Sequence, residues 1–152
     1  MTTERMELGS LIPEAYKAMA GLDRAVRHSG LPKPLLELIK LRASQINGCA
    51  YCVDLHSFDA IKGGERDERV FQVAAWAESP AFTEQERAAL ALTESATRLS
   101  EGGDRVPDAV WQEAARHFSQ EDLAALVVAI ATINAWNRIG VATRMTPESF
   151  KG

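Results

Sequence analysis

Gly48-Cys49-Ala50-Tyr51-Cys52-Val53-Asp54-Leu55-His56 is the stretch around which the chain is read. It holds both cysteines of the 152 residues and one of the three histidines. A helix over residues 49–61, opening just after Asn47-Gly48, advances about 100° per residue and places Cys49, Cys52 and His56 within roughly 60° of one another. Cys52 and His56 are then i,i+4 neighbours. Cys49 falls in the first turn, where unpaired N–H groups and the helix dipole favour a thiolate. A helix N-terminus and a nearby imidazolium lower a thiol well below its usual value of about 8.5. The arrangement offers an activated thiol, a second thiol to resolve it and a proton carrier, which is the equipment of redox chemistry.

Plainer readings exist. Two cysteines on an apolar helix serve as packing residues. Cys-x2-Cys-x3-His also provides three zinc ligands, with Glu37 as a fourth, although three ligands on one short helix make an awkward tetrahedron. Glu37 and Lys40 are spaced i,i+3, as in an ordinary surface ion pair.

Upstream, Glu37 lies in Leu35-Leu36-Glu37-Leu38-Ile39-Lys40-Leu41-Arg42-Ala43-Ser44, twelve positions before Cys49. The resulting pattern, Glu-x11-Cys-x2-Cys-x3-His, resembles the core motif of the alkylhydroperoxidase D-like proteins within the wider carboxymuconolactone decarboxylase family. The Ile46-Asn47-Gly48-Cys49 approach, the run from His56 to Gly63-Gly64 and the segment Asn134-Ala135-Trp136-Asn137-Arg138-Ile139-Gly140-Val141 are similar too. The resemblance covers residues 35–64 at the level of the motif and extends more weakly to about residue 145. It implies a thiol-dependent peroxidase in which Cys52 attacks the terminal oxygen of a hydroperoxide and Cys49 closes an intramolecular disulfide with it. His56 and Glu37 would carry the proton. It also implies recycling by a dithiol reductant, such as a lipoylated or thioredoxin-like protein, and assembly as a homo-oligomer, a trimer or hexamer. No metal or organic cofactor is called for. The sequence departs from some members at Tyr51, where they carry a second histidine, and a phenol is a poor base near neutrality. The decarboxylases that name the wider family lack the cysteine pair. General thiol–disulfide exchange, or a non-enzymatic redox-sensing or zinc-binding role, are the alternative readings.

Away from the motif the chain reads as helices throughout. Residues 1–9 look like a loose polar lead-in. Pro13 opens an amphipathic helix to about His28, and Ser29-Gly30-Leu31-Pro32 ends it. A second helix, about 33–47, has leucine and isoleucine round most of its circumference and stops at Asn47-Gly48. After the cysteine helix, ending at Gly63-Gly64, the pattern predicts helices over 67–78 (Val70, Phe71, Val73, Ala74 and Trp76 inward), from the Thr83–Glu86 capping box to about Leu99, over 107–118, and over 120–137. In the second of these, Leu90, Leu92, Ala96 and Leu99 face the core. The last is apolar nearly all round, which suits the centre of a domain or a subunit interface. With no β-type alternation, the expectation is one all-α domain, residues 1–152, a bundle of about six to seven helices. Leu36, Ile39, Ala43, Ile46, Asn47 and Leu123, Leu126, Ile130, Ile133, Asn134 repeat at an offset of 87, a faint internal echo.

Composition bounds the function. Hydrophobic residues make up 46% and charged residues 25%, ordinary values for a globular chain, and a net charge of −4 provides no basic surface for nucleic acid and no polybasic membrane patch. The polar, partly acidic start is unlike a secretory signal, and the longest apolar run, Leu123–Ile133, is too short to cross a bilayer. A cytoplasmic location follows as the expectation, and there a Cys-x2-Cys pair suits catalysis better than structure.

Overall fold

The computed structural model describes residues 3–152; the first two residues of the expected lead-in lie outside the described residues. The chain forms α1 (Leu8–Leu11), α2 (Pro13–Arg27), α3 (Lys33–Asn47), α4 (Ala50–Lys62), α5 (Asp67–Gln72), α6 (Glu84–Thr97), α7 (Asp108–His117) and α8 (Gln120–Thr143). Among the described residues there is no strand, and the fold is all-α. Set against the seven helices expected, the addition is the single turn α1. The lead-in before it is tied to the far end of the chain: the Arg5 backbone N–H donates to the Thr143 carbonyl (2.8 Å) and its guanidinium to the Ala142 carbonyl (3.0 Å).

α3 is the central element because it has no polar face to give to solvent. Leu35, Leu36 and Ile39 enter one apolar cluster with Leu92 of α6 and Leu126 and Ile130 of α8. Leu38 and Leu41 enter a second with Ala60 of α4, Val70 of α5 and Leu90 of α6. Each fully buried leucine contributes about 1.5–3 kcal/mol of transfer free energy. α3 is therefore pinned on both sides, and whatever follows its C-terminus is placed by it.

The helix ends follow local chemistry. Gly48 takes a left-handed conformation (φ 68°) and its N–H and that of Cys49 return to the Gln45 and Ser44 carbonyls. The Thr83–Glu86 box is reciprocal, and the Ser119 hydroxyl accepts from the Asp122 N–H (3.1 Å) at the start of α8.

Four expectations need correction. The helix over 67–78 stops at Gln72 and tightens into a 3-10 turn, Val73–Ala75, which keeps Val70 and Val73 inside but leaves Phe71 73% exposed and Ala74 at the surface. Leu99 lies beyond the end of α6 and is exposed as well. α8 runs six residues further than 137, to Thr143. It is thereby long and apolar enough, by length and composition, to cross a membrane. In this fold its apolar surface has another use, since Leu126, Ile130 and Ile133 are buried in the bundle.

Candidate active site

Three polar contacts between α3 and α8 fix the position of the cysteines. The Asn47 amide donates to Asn134 Oδ1 (2.9 Å) and to Asn137 Oδ1 (3.0 Å). The Asn137 amide donates in turn to the Ser44 hydroxyl (2.9 Å), which donates to the Lys40 carbonyl (2.6 Å). Asn47 and Asn134 are the two asparagines of the 87-residue echo, and they bond to each other across the packed helices. This network holds the last turn of α3, and with it Gly48 and the start of α4.

Cys49 is the N-cap of α4 rather than a residue of its first turn. Its sulfur accepts the Cys52 backbone N–H at 3.3 Å. Both cysteines are free thiols and buried, Cys49 only 1% exposed. No disulfide joins them in this structure. The Cys52 thiol, the helical N–H groups and the Asn137 amide all favour negative charge on Cys49; they outweigh its burial and bring the thiol down to about 7. Cys52 is pushed upward, because its proton is engaged by the Cys49 sulfur, it is buried, and a charge on Cys49 repels a second one. Ionisation of the pair is thus biased toward Cys49 and away from Cys52.

Cys52 opens onto a cavity of about 390 Å³ that Glu37, Lys40 and His56 also line. His56, 8% exposed, is bonded through Nδ1 to Glu37 Oε2 (2.8 Å), while Lys40 Nζ lies 3.6 Å from Glu37 Oε1. The ion pair of Glu37 with Lys40 and the contact of Glu37 with His56 therefore coexist. Burial resists ionisation of Glu37, but the His56 hydrogen bond and the Lys40 charge prevail and hold its carboxyl below the ordinary range. Tyr51 is in the same cavity; burial and the Glu148 carboxylate raise its phenol, so it stays protonated at neutral pH.

The four residues singled out in the sequence thus meet at one place, three of them on the cavity and Cys49 directly behind Cys52. Several others at the site carried no clear signal. Gly140 of α8 faces the thiols so closely that a Cβ there would lie 2.7 Å from Cys49 Sγ. Trp136 lines the cavity, meets Tyr16 edge to face at 5.3 Å and donates to Asp23 (2.7 Å). Asp59 stands beside the ion pair: ligand-capable atoms of Glu37, His56 and Asp59 lie within 4.8 Å of one another. Those three side chains could hold a divalent cation, opposed by the Lys40 ammonium, and neither cysteine belongs to the group. The echo at 87 pointed to Asn134, and an isolated glycine within an apolar helix commonly marks a close approach. Asp59 lacked even that.

The model of the carboxymuconolactone decarboxylase family matches residues 13–95, more than half of the chain. The chain belongs to the carboxymuconolactone decarboxylase family, and its likeness is to the alkylhydroperoxidase D branch. An Agrobacterium tumefaciens protein of unknown function, ATU0492, described as an antioxidant defence protein AhpD candidate, shares 41% identity and a TM-score of 0.90, covering 95% of this chain and 98% of that one. The uncharacterized protein YdfG of Bacillus subtilis is 37% identical over 140 residues, 92% of this chain and 94% of its own. The debrominase Bmp8 has the same fold at 24% identity, with a TM-score of 0.77 over 90% of this chain and 73% of its own. Proteins that share this fold thus include a debrominase.

Proposed function

We propose that this family member is a thiol peroxidase that reduces hydroperoxides and cycles between a dithiol and a Cys49–Cys52 disulfide. The observation that carries the reading is the shared cavity: Cys52 faces the same space as the His56–Glu37 pair, with a second, more readily ionised sulfur behind it. The Cys52 proton passes to Cys49, leaving a Cys52 thiolate on the cavity. That thiolate attacks the terminal oxygen of the hydroperoxide, the O–O bond breaks, and the leaving alkoxide takes a proton from the His56 imidazolium to become an alcohol. Cys52 is now a sulfenic acid. Cys49 sulfur attacks the Cys52 sulfur and the S–O bond breaks; the departing hydroxide takes the Cys49 proton and leaves as water. Glu37 orients His56 through the Nδ1 contact.

Reduction then requires a dithiol. The burial of both sulfurs favours a slender carrier that enters the cavity, such as a lipoyl arm on a partner protein, over a flat thioredoxin-like surface. It argues in the same way against a general exchange enzyme acting on protein disulfides. The exposed Val127, Val128 and Val141 on α8 suit a contact between copies in a trimer or hexamer, and the chemistry suits a reducing cytoplasm.

The test is free-thiol loss in the reduced, metal-stripped protein after one equivalent of an organic hydroperoxide, with mass analysis of the Cys49–Cys52 peptide. Loss of both thiols within seconds to minutes is expected. Cys52→Ser abolishes turnover, and Cys49→Ser stalls as a sulfenic acid after one oxidation. Thiols that survive for hours, or a Cys52→Ser protein with full rate, would overturn the assignment.

A further inference from the structure

The cavity is more than ten times the roughly 30 Å³ share of one water, and lies in the range of sites that enclose small organic ligands. A peroxide as small as hydrogen peroxide needs far less. One face of α2 forms a whole wall of it, in the order Tyr16, Ala20, Asp23, Arg24, Arg27, a stripe at helical spacing. The aromatic start of that wall meets Trp136. Its other end is ionic, and there the charges are unequally engaged. Asp23 accepts from Trp136, and Glu37 is taken up by His56 and Lys40. Arg24 and Arg27, by contrast, make no side-chain hydrogen bond and no ion pair among the described residues. They are exposed guanidinium groups, one helical turn apart, at the edge of an enclosed space that also contains the reactive sulfur.

We infer that Arg24 and Arg27 form a carboxylate subsite, so that the substrate is an organic hydroperoxide with an apolar or aromatic body and an anionic group. Guanidinium groups suit this task because their planar forks pair with a carboxylate through two parallel hydrogen bonds. Ala20, between the aromatic and ionic ends of α2, leaves room for the body of such a molecule. Asp59, without an ion-pair partner on the opposite helix, confines the anion to the α2 side by repulsion. The inference rests on the peroxidase reading for the hydroperoxide group, and not for the carboxylate.

The experiment compares para-carboxylated cumene hydroperoxide with its methyl ester, and in parallel measures by calorimetry the binding of the corresponding unreactive alcohols, acid and ester. The expected result is a preference of about tenfold for the acid in both kcat/KM and Kd, the scale of one or two charge-assisted hydrogen bonds at a partly exposed site. Arg24→Gln/Arg27→Gln, which alters two exposed side chains, removes the preference and leaves the ester rate unchanged. Salt weakens acid binding in the parent protein alone. Equal rates and equal binding of acid and ester, or a preference that survives the double substitution, would overturn the subsite while leaving the peroxidase intact. If neither hydroperoxide oxidises the thiols but the alcohol acid still binds through the arginines, the peroxidase reading fails and the subsite stands.

Discussion

Replacing Gly140 by alanine tests how closely α8 confines the thiols. A Cβ on that residue would lie 2.7 Å from Cys49 Sγ and 3.7 Å from Cys52 Sγ. To restore an ordinary contact near 3.4 Å, Cys49 Sγ and α8 must separate by about 0.7 Å. Neither yields easily: Cys49 is the N-cap of α4, and α8 is tied to α3 through Asn134 and Asn137. Overpacking of this kind costs about 1–3 kcal/mol, against which alanine in a helix returns about 0.5–1 kcal/mol. The net is a destabilisation of up to about 2.5 kcal/mol, or a fall in Tm of up to roughly 5–10 °C for a chain of this size. A displaced sulfur also loses the 3.3 Å hydrogen bond from the Cys52 N–H, so the Cys49 thiol moves upward from about 7. Thermal unfolding of the reduced protein reads the first effect, and thiolate ultraviolet absorbance against pH reads the second. A higher Tm with an unchanged thiol titration would refute the reasoning, because it would mean that only helix propensity had changed.

Peroxide-driven thiol oxidation should rise as pH passes through about 7, following the Cys49 thiolate, and Asn137→Ala should shift that midpoint upward. Because the folded thiol lies below its ordinary value, its contribution to stability is complete above that value and fades as pH falls through about 7. Reduced protein should therefore gain stability relative to its alkylated form between those limits in a denaturant titration. Glu37→Gln removes the carboxylate that orients His56 and should slow hydroperoxide reduction by about 10- to 100-fold, with some loss of stability near neutrality. The depressed Glu37 carboxyl favours the fold above the ordinary carboxylate range and loses that contribution as pH falls through its folded value, so the variant should also be less sensitive to acid. In a double-mutant cycle, Asn47→Ala and Asn134→Ala should show a coupling of about 1 kcal/mol by chemical denaturation.

The sequence by itself determined the elements and the reacting groups. Helical periodicity, the breaks at Gly48 and Gly63-Gly64, and the capping residues Thr83 and Ser119 are local signals, set by backbone sterics and by hydrogen bonds within a few residues. They placed most helices to within a few positions. They failed at Phe71 and Leu99, where a turn tightened or a helix ended and an apolar side chain was left in solvent. The spacing of Glu37, Cys49, Cys52 and His56 was legible because all four lie on adjacent segments, so short-range geometry brings them close together.

The tertiary structure alone decided what surrounds them. Asn137 and Gly140 reach the cysteines from some ninety residues away, and Tyr16 and Trp136 become neighbours only when α2 packs on α8. Which sulfur bears the charge likewise depends on donors and burial that exist only in the packed molecule. Local periodicity states which face of a helix is apolar. It does not state which helix that face will meet, and the shape and charge of the cavity follow from that meeting.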